Sequence, residues 1–298
     1  MRASRRMALY GIGGGVTVSS VSTAAHTAAN LSSISWDDLK AYGDAIAADT
    51  AHTYSNGTKS VTFSDGQTLG IGDVKSVVLS GTVGALTFSD LTNYCFILGF
   101  RHNFSVEGTG IHFQFGKTGL GGTDVAFVDS AYNSNGSTAA FRANTSDTSS
   151  GGWDSSYMFG TIISAFYNAV PSSLQSVVAT MTKYTDNTGG GSDTAAYVTA
   201  TNEQFSLPAE FEIFGARTYA NSAEQNYQQQ YAYYKAGNSA KKYKHSATGT
   251  DCAYWPRSPS VSNSSAWIKV SSDGATGSSN YCNISFGFAP IFSIGTAA

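Results

Sequence analysis

Charge is scarce in this chain, and the scarcity limits what it can fold into. Asp, Glu, Lys and Arg supply only 12% of its 298 residues, roughly half the share of an ordinary soluble domain. A coiled-coil rod needs heptads and regular flanking charges, and the sequence has neither. Broad binding to a nucleic-acid backbone needs clustered Lys and Arg. Here the net charge is −3, and the body of the chain has one basic run, Lys241, Lys242 and Lys244. Yet 41% of the residues are hydrophobic and 13% aromatic, too many for a disordered chain. Solubility must therefore come from hydroxyls and amides, and Ser and Thr form about a quarter of the sequence. That balance suits a rigid, β-rich surface on a secreted, cell-surface or virion protein. The length allows one large domain with a small attachment region.

The first 30 residues are small and polar and read as a flexible or partner-ordered arm. Their apolar stretch, MALYGIGGGVTV, has four glycines and little Leu, which is poor for a secretion leader. No stretch approaches the length of a membrane span. Ser35 then reads as the N-cap of a helix whose Trp36, Leu39, Tyr42 and Ile46 recur at helical spacing. From 59 to 115 the pattern changes to strands, with NYCFILGF (93–100) and GIHFQFG (110–116) as buried ones. Further helices are expected after Asp154, over PSSLQSVVATM from Pro171, over 207–215 and over 224–237, the last two stopped by Gly215 and Gly237. AYVTAT reads as a strand, and the remainder as strand and loop.

No catalytic constellation, cofactor motif or metal-ligand spacing is present. His102 and His112 can face each other across a hairpin, as structural partners. Asp186 and Asp193 lack the spacing of a calcium loop and read as turn residues. Cys95, Cys252 and Cys282 fit no zinc or redox motif. They are either three buried thiols or include a Cys252–Cys282 pair if those strands adjoin.

An ordered motif set runs through the chain. Gly151-Gly152-Trp153 and Val170-Pro171-Ser172-Ser173-Leu174-Gln175 come first. Glu210-Phe211-Glu212-Ile213-Phe214-Gly215 and Tyr231-Ala232-Tyr233-Tyr234 through Ser239 follow. Trp255-Pro256-Arg257-Ser258-Pro259, Ser272-Asp273-Gly274 and Gly287-Phe288-Ala289-Pro290-Ile291-Phe292 close it. This set resembles a domain-of-unknown-function family of gut bacteria and their phages. That family is similar to C-type lectins and to the formylglycine-generating enzymes, and it includes variable target proteins of diversity-generating retroelements. The resemblance implies an α+β, C-type-lectin-like domain: twisted antiparallel sheets with a few short helices over 31–298, preceded by the 1–30 arm. A β-rich part (31–115) then leads into a motif-bearing core with display loops (116–298). Trp153, Trp255, Arg257, Trp267, Gly274 and Gly287 are its structural residues. The reactive cysteine pair of the enzymes is absent, so their activity is not implied.

Between Pro259 and Gly287 short polar residues alternate with a few anchors. Ser262, Asn263, Ser265, Ser272, Asp273, Ser278, Ser279, Asn280, Tyr281 and Asn283 are the expected ligand-binding residues, of types that adaptable binding loops favour. Ser271 to Phe286 contains no Lys, Glu, Gln, Met or Trp, which is compatible with adenine-directed diversification of AAC-type codons and equally with an ordinary Ser/Gly-rich surface loop. The expected function is non-enzymatic. A phage or prophage receptor-binding protein, carried on a virion or at the cell surface, would recognise a host cell-surface protein or glycan. The alternatives are a structural virion decoration protein and a secreted adhesin. The expected partners include neighbouring virion subunits through the arm, and a homotrimer by analogy with phage fibres. No nucleic acid, membrane span, metal or cofactor is expected.

Overall fold

The computed structural model describes residues 15–135, 140–279 and 281–297, with Ser278 and Ser279 described by their backbone alone. Strand β1 (Val18–Ser22) pairs antiparallel with β2 (Ser60–Phe63), and β2 with β3 (Thr68–Gly70). The 15–30 part of the expected arm is thus tied to its own chain. Its end is fastened by Asn30 bridging to Val74 and by Asp73, which accepts from the Ala29 N–H at 2.7 Å. Residues 1–14 lie outside the described residues.

Helix α1 (Trp36–Ala48) begins where the sequence indicates. Ser35 Oγ accepts from the Asp38 N–H at 3.0 Å, and Asp37 and Asp38 occupy the positive first turn. Its stripe of Trp36, Leu39, Tyr42 and Ile46 is buried. The stripe packs on an antiparallel sheet built around β4 (Val74–Val83), β5 (Leu86–Phe100) and, after the single turn α2 (Phe104–Glu107), β6 (Thr109–Lys117). The two segments read as buried strands are the C-terminal half of β5 and nearly all of β6. A short β7 (Val125–Ala126) follows.

The middle of the chain departs from the expected helices. Gly151 and Gly152 adopt left-handed φ angles of 89° and 59°, and Trp153 turns inward, so Asp154 caps nothing. A π-helical turn, Met158–Ile163, starts later and runs into α3 (Ser164–Ala169). Past Pro171 only α4 (Ser172–Gln175) is helical. The β-branched residues after it join sheets instead: β8 (Val178–Ala179) against the last strand, and β9 (Met181–Asp186) against β10 (Val198–Glu203). Leu174 and Val177 are buried, as a helical stripe would also require, so their burial does not separate helix from strand. After β11 (Phe205–Ser206) comes α5 (Glu210–Phe214), stopped by Gly215 at φ 68° as expected. The expected 224–237 helix is split into a turn at Glu224–Asn226 and α6 (Ala232–Lys235). Between them the Gln228 amide turns inward to the Tyr184 carbonyl.

The C-terminal third contains β12 (Lys242–Lys244), β13 (Ala247–Cys252), the hairpin β14 (Trp267–Val270) and β15 (Thr276–Ser279), and β16 (Ile291–Thr296). Strand β16 closes the main sheet in the order β11-β16-β6-β5-β4. The architecture is α+β with mostly antiparallel sheets.

Aromatic rings fill the space between α1, α3 and this sheet. Phe113 and Phe292 stack at 5.1 Å, and Trp36 meets both edge-on at 5.9 Å. Phe166 of α3 contacts Phe88, Phe115, Phe127, Phe205 and Phe288. Where α1 crosses the sheet, Gly43, Gly110 and Gly295 meet backbone to backbone. A Cβ at Gly43 would lie 2.8 Å from the Ile294 carbonyl oxygen, and no side chain could move to relieve it. Gly43→Ala should therefore destabilise the protein by about 1–3 kcal/mol through overpacking. It should do so although Ala is the better helix former by roughly 1 kcal/mol. Urea unfolding of the two proteins measures the sign.

Candidate functional site

The expected display surface is the outer side of the segment from 259 to 287. In the β14–β15 hairpin, Trp267, Ile268 and Val270 are buried, and Trp267 pairs with Ser279 and Val270 with Thr276. Its turn is closed by the Gly274 N–H donating to the Ser271 carbonyl at 2.8 Å. Gly274 has φ 91°, and a Cβ there would meet Lys241 N at 2.8 Å. Ser272 and Asp273 are exposed at this turn, with Asp273 Oδ1 accepting from the Ala275 N–H. Ser262 and Asn263 are exposed on the preceding loop, and Ser265 is half-buried. The Ser265 N–H donates to Asn263 Oδ1 at 2.8 Å. Tyr281 is 53% exposed. Asn283 is half-buried, its Oδ1 shielded from solvent without a donor among the described residues. Ser278 and Ser279 lie on β15, their side chains outside the described residues, as is Asn280 entirely.

A rigid frame stands behind this surface. The Trp255 indole N–H donates to the Phe141 carbonyl at 2.9 Å, and that of Trp267 to the Pro256 carbonyl at 3.1 Å. Gly287 passes so close to Cys252 that a Cβ would lie 2.8 Å from its sulfur. The three cysteines are free and buried, so Cys252 and Cys282 do not pair. Burial pushes each thiol up to about 12.

Deeper lies a set of ionised groups that the sequence reading did not assemble. Arg257 is fully buried and grips Glu212 with both terminal nitrogens, at 2.5 and 3.1 Å. Its Nε donates to Thr185 Oγ1 at 2.7 Å. Lys183 lies 2.7 Å from Glu107 and 3.2 Å from Glu212, and donates to the Tyr231 hydroxyl at 3.1 Å. The ring of His102 stacks on Tyr231 at 3.7 Å and meets His112 edge-on at 5.3 Å, so the two histidines do face each other. Burial pushes the Glu212 carboxyl upward, but Arg257 and Lys183 outweigh it and hold that carboxyl well below its ordinary value. Burial raises Glu107 to about 7 against the pull of Lys183. It lowers His102 to about 4.

His102, Glu107 and Glu212 each offer one ligand atom within 4.8 Å of the others, a spacing that suits a metal ion. The charges do not. Lys183 and Arg257 already neutralise the two carboxylates, and a dication would sit against both cations. The geometry is that of a structural ion-pair network.

The Glu-x-Glu motif joins this network to the display surface. While Glu212 points to Arg257, Glu210 accepts from the N–H groups of Thr218, Tyr219 and Ala220. It also accepts from the Thr276 hydroxyl of β15 at 2.6 Å. Trp153 donates through its indole N–H to Glu203 at 2.8 Å. Asp186 is a turn residue, as read, accepting from the Thr188 and Gly189 N–H groups.

Residues 130–296 match the model of the family described as Domain of unknown function (DUF6273). The chain belongs to that family. No curated protein and no solved structure matches the chain. Within the DUF6273 segment fall Trp153, Lys183, Glu210, Glu212, Trp255, Arg257, Trp267, Gly274 and Gly287. The signal that could have pointed to the network was the scarcity of charge itself, with Glu212 set between Phe211 and Ile213 in a chain that uses few charges.

In this DUF6273 chain, Glu212→Gln leaves Arg257 buried without a counter-charge and should cost about 3–5 kcal/mol in urea unfolding. Adding Arg257→Met should recover part of that loss, because the stranded charge goes. Glu224 gives a separate prediction. Burial raises its carboxyl to about 7, against hydrogen bonds from Ser258 and the Asp186 N–H. A carboxyl raised in the fold contributes stability below its ordinary value near 4.5, and loses it as pH rises through 7. Glu224→Gln removes that dependence. Its stability relative to wild type should thus improve from pH 4.5 to pH 7, by on the order of 1–3 kcal/mol. Denaturant midpoints across that range read it directly.

Proposed function

We propose that this protein is a non-enzymatic binding protein that presents the 262–283 surface to a host cell-surface protein or glycan. On this reading it is carried on a phage or prophage particle or at a cell surface. The observation that carries the reading is Tyr281, 53% exposed beside short polar side chains, on loops backed by buried Trp255, Trp267 and Arg257. Large aromatics on water-facing loops are costly to leave exposed, and with Ser and Asn neighbours they form the contacts of adaptable binding surfaces. The C-type-lectin-like fold belongs to the same reading, supported by antiparallel sheets and the late hairpin. So does retroelement diversification, supported by the codon-restricted run from Ser271 to Phe286.

A non-enzymatic role fits the burial of the ionisable groups. His102, Glu107, Lys183, Glu212 and Arg257 are each at most 4% exposed, which leaves a substrate no approach to them. No helix among the described residues is long and apolar enough to cross a membrane.

The test is binding of the isolated protein to host cells. Simultaneous alanine replacement of Asn263, Asn280, Tyr281 and Asn283 should abolish binding while thermal unfolding shows a folded protein. Full binding by that variant would overturn the site.

A further inference from the structure

On the face formed by the loop after α1 and the turn after β5 lies a cleft of about 380 Å³, within the usual size range of small-molecule sites. Arg101 lines it. The guanidinium lies 3.8 Å from the ring centre of Phe104 and 5.1 Å from that of Tyr54, held flat by both rings. One terminal nitrogen donates to the Asp49 carbonyl. Among the described residues no carboxylate lies within ion-pairing distance of it, and its other N–H donors have no protein acceptor. The nearby Asp49 carboxylate is engaged by the Tyr54 hydroxyl at 2.8 Å and by His52 at 3.0 Å. An arginine clamped by aromatic faces, with an unspent donor fork, is suited to pair a planar oxyanion.

The rest of the lining is hydroxyl and amide: Thr53, Ser55, Ser105 and Gln229. At one edge Asn103 donates to the Tyr227 carbonyl at 2.5 Å, and the exposed Tyr227 stacks on Tyr184 at 4.3 Å. The backbone contributes as well. Arg101 and Asn103 both hold left-handed φ angles, 46° and 45°, with His102 between them turned into the buried ion network. Strain of this kind persists only where the surroundings enforce it, and it collects at ligand clamps. Here it directs two cleft residues outward from either side of an inward one.

We propose that this cleft binds a carboxylate-bearing saccharide unit, with Arg101 pairing the carboxylate and the hydroxyl and amide side chains meeting the sugar. The site is separate from the 262–283 surface and stands whether or not that surface binds a host. Titration calorimetry on the full chain with glucuronate, glucose and acetate tests it. Saturable glucuronate binding is expected, with glucose and acetate roughly tenfold or more weaker. Equal binding of glucose would overturn the carboxylate pairing, equal binding of acetate the sugar contacts, and no saturable glucuronate binding the whole proposal.

Arg101→Gly removes the guanidinium and relieves the φ strain together, and should weaken glucuronate binding at least tenfold. Arg101→Lys keeps the charge, loses the fork, and should also bind more weakly. It decides the matter if the glycine variant does not fold. Asp90→Gly, which relaxes a left-handed residue (φ 53°) outside the cleft and leaves Arg101 intact, should bind as wild type does. Wild-type affinity in a folded Arg101→Gly or in Arg101→Lys overturns the assignment.

Discussion

The fully buried pairing of Arg257 with Glu212 organises this molecule. Removing a guanidinium and a carboxylate from water is expensive, and their attraction offsets that cost only when geometry and further hydrogen bonds are nearly complete. Completion here requires Thr185 of β9, the Leu207 carbonyl, and Lys183 with its own partners Glu107 and Tyr231. Segments distant in the sequence must therefore arrive together, and a misplaced one leaves a charge stranded. Hydrophobic packing alone tolerates approximate arrangements. The charge network does not, and so it selects one arrangement among many.

This network is also tied to the outer surface. Glu210 and Glu212 are two residues apart on a single helical turn, one fastening the 217–220 loop and β15, the other the core. The outer loops spend much of their polar capacity locally, as with Asn263 and the Ser265 N–H, and Asp273 and the Ala275 N–H. Loops held in one shape before they meet a ligand lose less conformational freedom on binding.

Local signals were legible in the sequence where one residue decides the outcome. Ser35 begins α1, Gly215 ends α5, and Gly274 turns the late hairpin because each meets a backbone requirement visible within a few residues. The helix expected past Pro171 ends at Gln175, and Val178 and Ala179 pair with β16 instead, a partner more than 100 positions away that the spacing of Leu174 and Val177 does not reveal. Trp153 likewise gave no local sign that it would turn inward to Glu203 and delay the next helix. Among the candidate site residues, sequence types located an exposed loop. The cleft at Arg101 escaped notice, since it depends on two left-handed residues and on a loop some 50 positions away. The ion network was hidden for a related reason: Glu107, Lys183, Glu212 and Arg257 are far apart in sequence and only the fold brings them together.

The matched family segment begins at residue 130, yet the structure does not divide there. Its last strand, β16, takes its long register from β6, which lies upstream. Lys183, buried within it, finds one of its two carboxylates in Glu107, upstream again. The matched segment is thus shorter than the stretch of this chain that closes its sheet and balances its buried charge. Here β6 and Glu107 both come from outside it. The border of the family match and the border of the folding unit fall in different places along this chain.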